Sequence, residues 1–252
     1  MINYALIVLI FSLSETTALH ANSIKFKNAN ELFDSKNYTE AIQNYNDLST
    51  NGVSVNLLFN LGNSYYKAGE VGKALSSYQK ALKLAPRNPD LIKNFNFVQK
   101  QVPTPPIPIT LSQKLIRKLS INEWIFITAF LSSLFFILMG IKQFYPSHIK
   151  NRFWMKISGA IAFIFLLFSL YSLSDYYDDK RAFVTKDIVV HTGPVEQSPE
   201  SFMAKDGMEL FVLGHNGNFI NVKSSFGTVG WIDTDAVAFP SLNTKNIGDI
   251  EN

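Results

Sequence analysis

The chain has 252 residues, 47% hydrophobic and 17% charged, with a formal net charge of +3. It holds no cysteine, which excludes thiol catalysis and fits an exported protein without disulfides. It also lacks a phosphate-cradling glycine loop and an HExxH sequence, and no enzyme is expected.

Residues 1–21 read as a secretory signal peptide: an apolar stretch over 4–13, then polar residues, then Ala21 as a small residue at the cleavage point. No Lys or Arg precedes the apolar run, and Leu19 stands where a smaller residue is preferred, so an uncleaved anchor is the alternative. Either form delivers the following segment across a membrane.

That segment, residues 22–102, contains an internal repeat. Tyr38-Thr39-Glu40-Ala41-Ile42-Gln43-Asn44-Tyr45 returns as Val71-Gly72-Lys73-Ala74-Leu75-Ser76-Ser77-Tyr78, a shift of 33. The same shift carries Ala29 onto Gly62 and Leu32 onto Tyr65. Leu61-Gly62-x-x-Tyr65, followed by Ala74, Tyr78, Ala81 and Pro86, resembles the tetratricopeptide pattern. Ala41, Ala74 and Gly62 are small where two helices cross closely, Tyr45, Tyr78 and Leu61 fill the gaps, and Pro86 stops the second helix. Leu91, Ile92, Phe95 and Val98 recur at helical spacing, which predicts a helix over 90–100 that caps the open apolar end.

Residues 103–121 form a linker. Pro103, Pro105, Pro106 and Pro108 predict a stiff extended spacer. Residues 111–119 then set Leu115, Ile116 and Leu119 against Lys114, Arg117 and Lys118. This is either a short amphipathic helix on a membrane surface or a plain lead-in to the next element.

Two uncharged apolar runs of 18 residues, 124–141 and 157–174, follow. Each has the length needed to cross ~30 Å of hydrocarbon, and neither shows the polar face of a globular helix. They predict transmembrane helices over 122–141 and 157–174. The connector, 142–156, carries Lys142, Lys150, Arg152 and Lys156 and no acid, which places it in the cytoplasm and both flanking domains outside. Lys114, Arg117 and Lys118 argue mildly the other way; the N-terminal signal decides against them.

Beyond the second run the pattern changes to short alternating segments. Residues 188–191, 209–213, 219–223 and 229–232 are strand-like, punctuated by Gly193-Pro194, Gly207, His215-Asn216-Gly217-Asn218 and Ser225-Phe226-Gly227. They predict a small all-β barrel over 182–242. Val189-Val190-x-x-Gly193-Pro194, then Gly217-Asn218-Phe219-Ile220-Asn221-Val222, then Gly230-Trp231-Ile232 resemble the bacterial Src homology 3 domain, with Phe219 where that family often has Trp. The tail, 243–252, is expected to be disordered.

Little chemistry remains. The four histidines, His20, His148, His191 and His215, fall in three compartments under this topology, so neither a metal centre nor a cofactor is expected. Asp175, Asp178 and Asp179 read as topology markers. Binding is left. By register with the tetratricopeptide pattern, Phe26, Asn30, Phe33, Phe59, Asn60, Asn63, Tyr66, Lys67, Lys93 and Asn94 face a concave groove. Asn30 with Asn60, and Asn63 with Asn94, resemble the asparagine pairs with which some family members hold a peptide backbone or terminal carboxylate. An amide donates and accepts at once, which suits an extended ligand; ordinary repeat consensus is the alternative.

Residues 22–120 carry thirteen bases against six acids, and 175–252 six against twelve. The groove side therefore favours acidic segments or anionic surfaces, and the two domains attract one another, with salt screening beyond about 8 Å. Nucleic acid is a poor partner in an exported compartment.

The order of signal, short tetratricopeptide array, Pro-rich spacer, two spans around a basic loop and small barrel resembles the BatE proteins of the Bacteroides aerotolerance (Bat) operon. Asp90-Leu91-Ile92-Lys93-Asn94-Phe95 after Pro86, and Asn122-Glu123-Trp124 opening the first span, carry the likeness. The resemblance implies a bacterial inner-membrane scaffold with both soluble domains periplasmic. It would work beside von Willebrand A-type Bat proteins in stress tolerance or envelope maintenance. A peptidoglycan-binding envelope protein acting through the barrel is the alternative.

Overall fold

The computed structural model describes residues 22–144, 153–177 and 179–241. The expected signal peptide, residues 145–152 of the basic connector, Asp178 and the expected tail lie outside the described residues.

Five helices build the repeat region: α1 (22–34), α2 (Tyr38–Ser49), α3 (Val55–Lys67), α4 (Val71–Leu84) and α5 (Pro89–Gln99). Small residues set the crossings. Ala29, Ala41 and Ala74 are fully buried, and a Cβ on Gly62 would stand 2.7 Å from the Tyr78 ring, so only glycine lets α3 approach α4 this closely. The turns repeat too: Lys36 after α1 has φ 66°, and Gly69 after α3 has φ 85°. Ser54 and Asn88 cap α3 and α5 with their side-chain oxygens. Helix α4 stops at Leu84, just short of Pro86, and α5 is the expected capping helix.

Helix α6 (Leu111–Ile116) is shorter than the expected 111–119, and Thr110 and Gln113 cap it reciprocally. Helices α7 (Ile121–Phe144) and α8 (Phe153–Tyr177) have 24 and 25 residues and are long and apolar enough to cross a membrane. Trp124 stacks on Phe168 with ring centres 5.6 Å apart, and Thr128 Oγ1 donates to Phe165 O at 3.1 Å. The start of α7 thus lies beside the end of α8, so the helical repeat and the sheet join the hairpin at one end.

Seven strands follow: β1 (Arg181–Val184), β2 (Ile188–His191), β3 (Glu200–Ala204), β4 (Glu209–Asn216), β5 (Phe219–Ser224), β6 (Val229–Asp233) and β7 (Val237–Ala238). They pair antiparallel in the order β3-β2-β6-β5-β4-β1-β7. This corrects the expected barrel: the sheet is not closed, and β3 and β7 are its edges. Strand β7 is two residues long, and α4 packs against β1 and β7, so a helix covers the edge that a closing strand would need. Leu210, Val212, Ile220 and Val222 alternate along β4 and β5 to form the sheet core with Val190 and Ile232. Strand β1 escapes sequence reading because all four residues are buried: Ala182 and Val184 face the sheet core, while Phe183 enters the core of the repeat.

The repeat and the sheet are joined directly, through α4 and β1. A Cβ on Gly72 would stand 1.8 Å from Val184 O, so this position must be glycine for α4 to reach β1. Val71 N and Gly72 N donate to the Asp206 carboxylate, both at 2.9 Å. Glu70 makes no side-chain cap, so a residue of the sheet domain caps α4. The Pro-rich segment lies against the sheet as well, with Ile107 N donating to Glu209 Oε2 at 2.9 Å.

Asp175 and Asp179, read from the sequence as topology markers, are both ion-paired. Asp175 accepts from Arg117 Nε and Nη2, both at 2.7 Å. Asp179 lies between Lys83 Nζ at 2.9 Å and Arg181 Nη2 at 2.6 Å, and Arg181 Nη1 reaches Glu209 Oε1 at 3.5 Å. None of these four side chains is more than 10% exposed. Burial works to raise the Asp179 pKa, but hydrogen bonds from Arg181 and the charges of Arg181 and Lys83 outweigh it and hold the carboxyl well below its usual range. For Glu209 burial wins over Arg181 and raises the pKa; for Lys83 burial wins over Asp179 and lowers it. The chain of alternating charges links α4, the segment after α8, β1 and β4. Such a network fixes one geometry more than it adds stability.

Candidate binding groove

Asn30 on α1 and Asn60 on α3 form the first of two matching units. Asn30 Oδ1 accepts the Tyr45 hydroxyl at 2.6 Å and Asn60 Nδ2 at 2.9 Å. One repeat on, Asn63 Oδ1 accepts the Tyr78 hydroxyl at 2.6 Å and Asn94 Nδ2, from α5, at 3.0 Å. Burial pushes the Tyr45 hydroxyl up to about 12 against an opposing hydrogen bond with Asn60, and raises Tyr78 in the same way against Asn94. Both phenols therefore remain protonated donors. They engage the oxygens of Asn30 and Asn63, and all four asparagines line the cavities along this row.

Two adjoining cavities of about 300 Å³ each lie along this row. Asn30, Phe33, Asp34, Tyr45, Asn60 and Asn63 line the first; Phe33, Asn63, Tyr66, Lys67, Tyr78, Asn94, Phe97 and Val98 line the second. Asn63 and Phe33 belong to both. Phe26 and Phe59 line neither and pack on the Tyr45 and Tyr78 rings, with centroids 5.8 and 6.2 Å apart. Lys93 is exposed on α5 and also lines neither cavity. Sequence reasoning missed Asp34, Phe97 and the two tyrosine hydroxyls. The tyrosines had a signal: the shift that carries Tyr45 onto Tyr78 also carries Asn30 onto Asn63.

The sheet domain has its own cavity of about 610 Å³, lined by Lys186, Asp187, Val189, His191, Met203 and Phe219 among others. His191 Nδ1 lies 2.8 Å from Ser198 O, which fixes its ring. Among the described residues, no group of three or more metal-ligating His, Asp or Glu side chains gathers.

Residues 55–88, which span α3 and α4, match the tetratricopeptide repeat family. Compared with curated proteins, the chain finds no match. Repeats of this family generally bind partner proteins. In this chain the repeat is joined to an all-antiparallel sheet and to two helices of membrane-spanning length.

Proposed function

We propose that this protein is a non-enzymatic membrane scaffold. Helices α7 and α8 cross a bacterial inner membrane, the repeat and the sheet domain lie on the periplasmic side, and the groove holds an extended segment of a partner protein. The observation that carries this reading is the doubled asparagine unit, in which tyrosine hydroxyls and neighbouring amides hold Asn30 and Asn63 beside open cavities. An extended backbone offers the complementary donors and acceptors. The domain order, with its resemblance to BatE proteins, supports von Willebrand A-type Bat proteins as partners and a role in stress tolerance or envelope maintenance.

Full-length protein purified from membranes in mild detergent, with its companions identified by mass spectrometry, tests the reading. The Asn63→Ala, Asn94→Ala variant should lose partner capture several-fold to tenfold per site, since each hydrogen bond contributes about 0.5–1.5 kcal/mol. Unchanged capture by a folded double variant removes the groove from the mechanism. The cavity beside His191 and Phe219 favours one second reading, peptidoglycan binding by the sheet domain. Pull-down of the full chain on purified cell wall tests it.

A further inference from the structure

We propose that α6 is an interfacial anchor: Leu111 and Leu115 enter the outer acyl region of an anionic bilayer while Lys114 and Lys118 meet its headgroups. The inference rests on the reading that α7 and α8 cross a membrane. Helix α6 has only six residues, too few to persist alone, so its contacts place it. Ser112 Oγ lies 3.1 Å from the Tyr171 hydroxyl, and Gln113 Nε2 donates to Asp175 at 3.0 Å. Arg117, the residue after the helix, holds Asp175 through two nitrogens. The Trp124 indole donates to Ile116 O at 2.8 Å, and Ile116 itself is buried.

Ser112, Gln113, Ile116 and Arg117 thus bind α6 to the end of α8 and the start of α7. The face left over carries Leu111, 84% exposed, and Leu115, 48% exposed. These two are four residues apart and share one side of the helix. The same helix end that α6 clasps continues into the apolar surface of α8, where Leu167 and Leu170 are also exposed. With Arg117 committed to Asp175, the exposed Lys114 and Lys118 supply the cationic rim that anionic headgroups attract. Leucines beside a membrane-length helix, flanked by lysines, match the boundary between acyl chains and headgroups.

The chain has no cysteine, so single labels are unambiguous. Leu111→Cys, Leu115→Cys and, within the hairpin, Phe163→Cys are each labelled with a small fluorophore in full-length protein. The protein is reconstituted in phosphatidylcholine vesicles with and without phosphatidylglycerol, and quenched by brominated lipid or by aqueous iodide. The anchor requires lipid quenching at Leu111 and Leu115 from shallow bromine positions, and at Phe163 from deep ones. Lipid quenching at Leu111 should fall roughly twofold without phosphatidylglycerol or in the Lys114→Gln, Lys118→Gln variant. Iodide quenching alone at Leu111 and Leu115, with Phe163 still reached by deep bromines, overturns the anchor and leaves the membrane reading standing. Iodide quenching at Phe163 overturns both.

Discussion

Asp206, in the turn between β3 and β4, accepts the amide of Val71 at the first residue of α4, across 135 positions of sequence. Gly72 binds the other carboxylate oxygen, so one helix terminus is completed by another domain. Asp206→Ala should lower stability by about 0.5–2 kcal/mol, the usual loss for an N-cap. It should also speed proteolysis within 103–110. Chemical unfolding in detergent reads the first effect and timed digestion the second.

Gly72→Ala should be worse. The new Cβ meets a backbone oxygen, which has less freedom to shift than a side chain, so the loss belongs at or above the usual 1–3 kcal/mol of overpacking. Gly140→Ala is the control, since nothing lies within 4 Å of its added Cβ; its midpoint should stay unchanged or rise.

Asp179→Asn leaves Lys83 and Arg181 buried without their shared anion, and should cost about 3–5 kcal/mol. The pH dependence has a defined sign. Asp179 is held below its usual pKa, so its contribution is complete above about pH 4 and drains away as pH falls toward the folded value. Glu209 is shifted upward, so its ionisation opposes folding as pH rises beyond about 4.3. Unfolding midpoints measured across acid and neutral pH should show a flatter acid limb in Asp179→Asn. Glu209→Gln should show a smaller decline on the rising side.

Tyr78→Phe separates orientation from packing. The ring stays, but Asn63 Oδ1 loses its 2.6 Å donor and keeps only the Asn94 amide at 3.0 Å, so the amide beside the cavity is held less firmly. Partner capture should fall while stability drops only about 0.5–1.5 kcal/mol. Ala74→Leu should do the reverse, losing about 1–3 kcal/mol by overpacking the fully buried helix crossing. Binding and thermal unfolding followed on the same samples distinguish the two.

Ser201→Cys reports topology. With the sheet domain outside the cytoplasmic membrane, an impermeant thiol reagent should label this site in intact spheroplasts. Labelling only after lysis would place the sheet domain in the cytoplasm.

The helical repeat was legible because its crossings depend on small residues at fixed spacing: Ala41, Ala74 and Gly62 announce where helices touch, and the structure puts them there. The strands with one wet face, β2, β4, β5 and β6, were legible through alternation. Strand β1 was not, because burial on both sides removes the alternation that reveals a strand. The union of the domains was hidden for another reason: Gly72 and Asp206 are individually ordinary, and only their meeting gives them a role. Likewise the asparagines of the groove were visible one by one, but not the tyrosine hydroxyls that turn them.

Lys83 touches Tyr176 O at 3.2 Å as well as Asp179, so α4 grips the last turn of α8. A soluble domain on a loose tether searches a hemisphere above its membrane; this one, under the proposed membrane reading, holds a constant height and bearing. Its groove then sweeps a thin layer parallel to the bilayer as the protein diffuses laterally. Partners that present their segment at that level meet it in a two-dimensional search, and those displaying the same segment farther out are passed over by geometry.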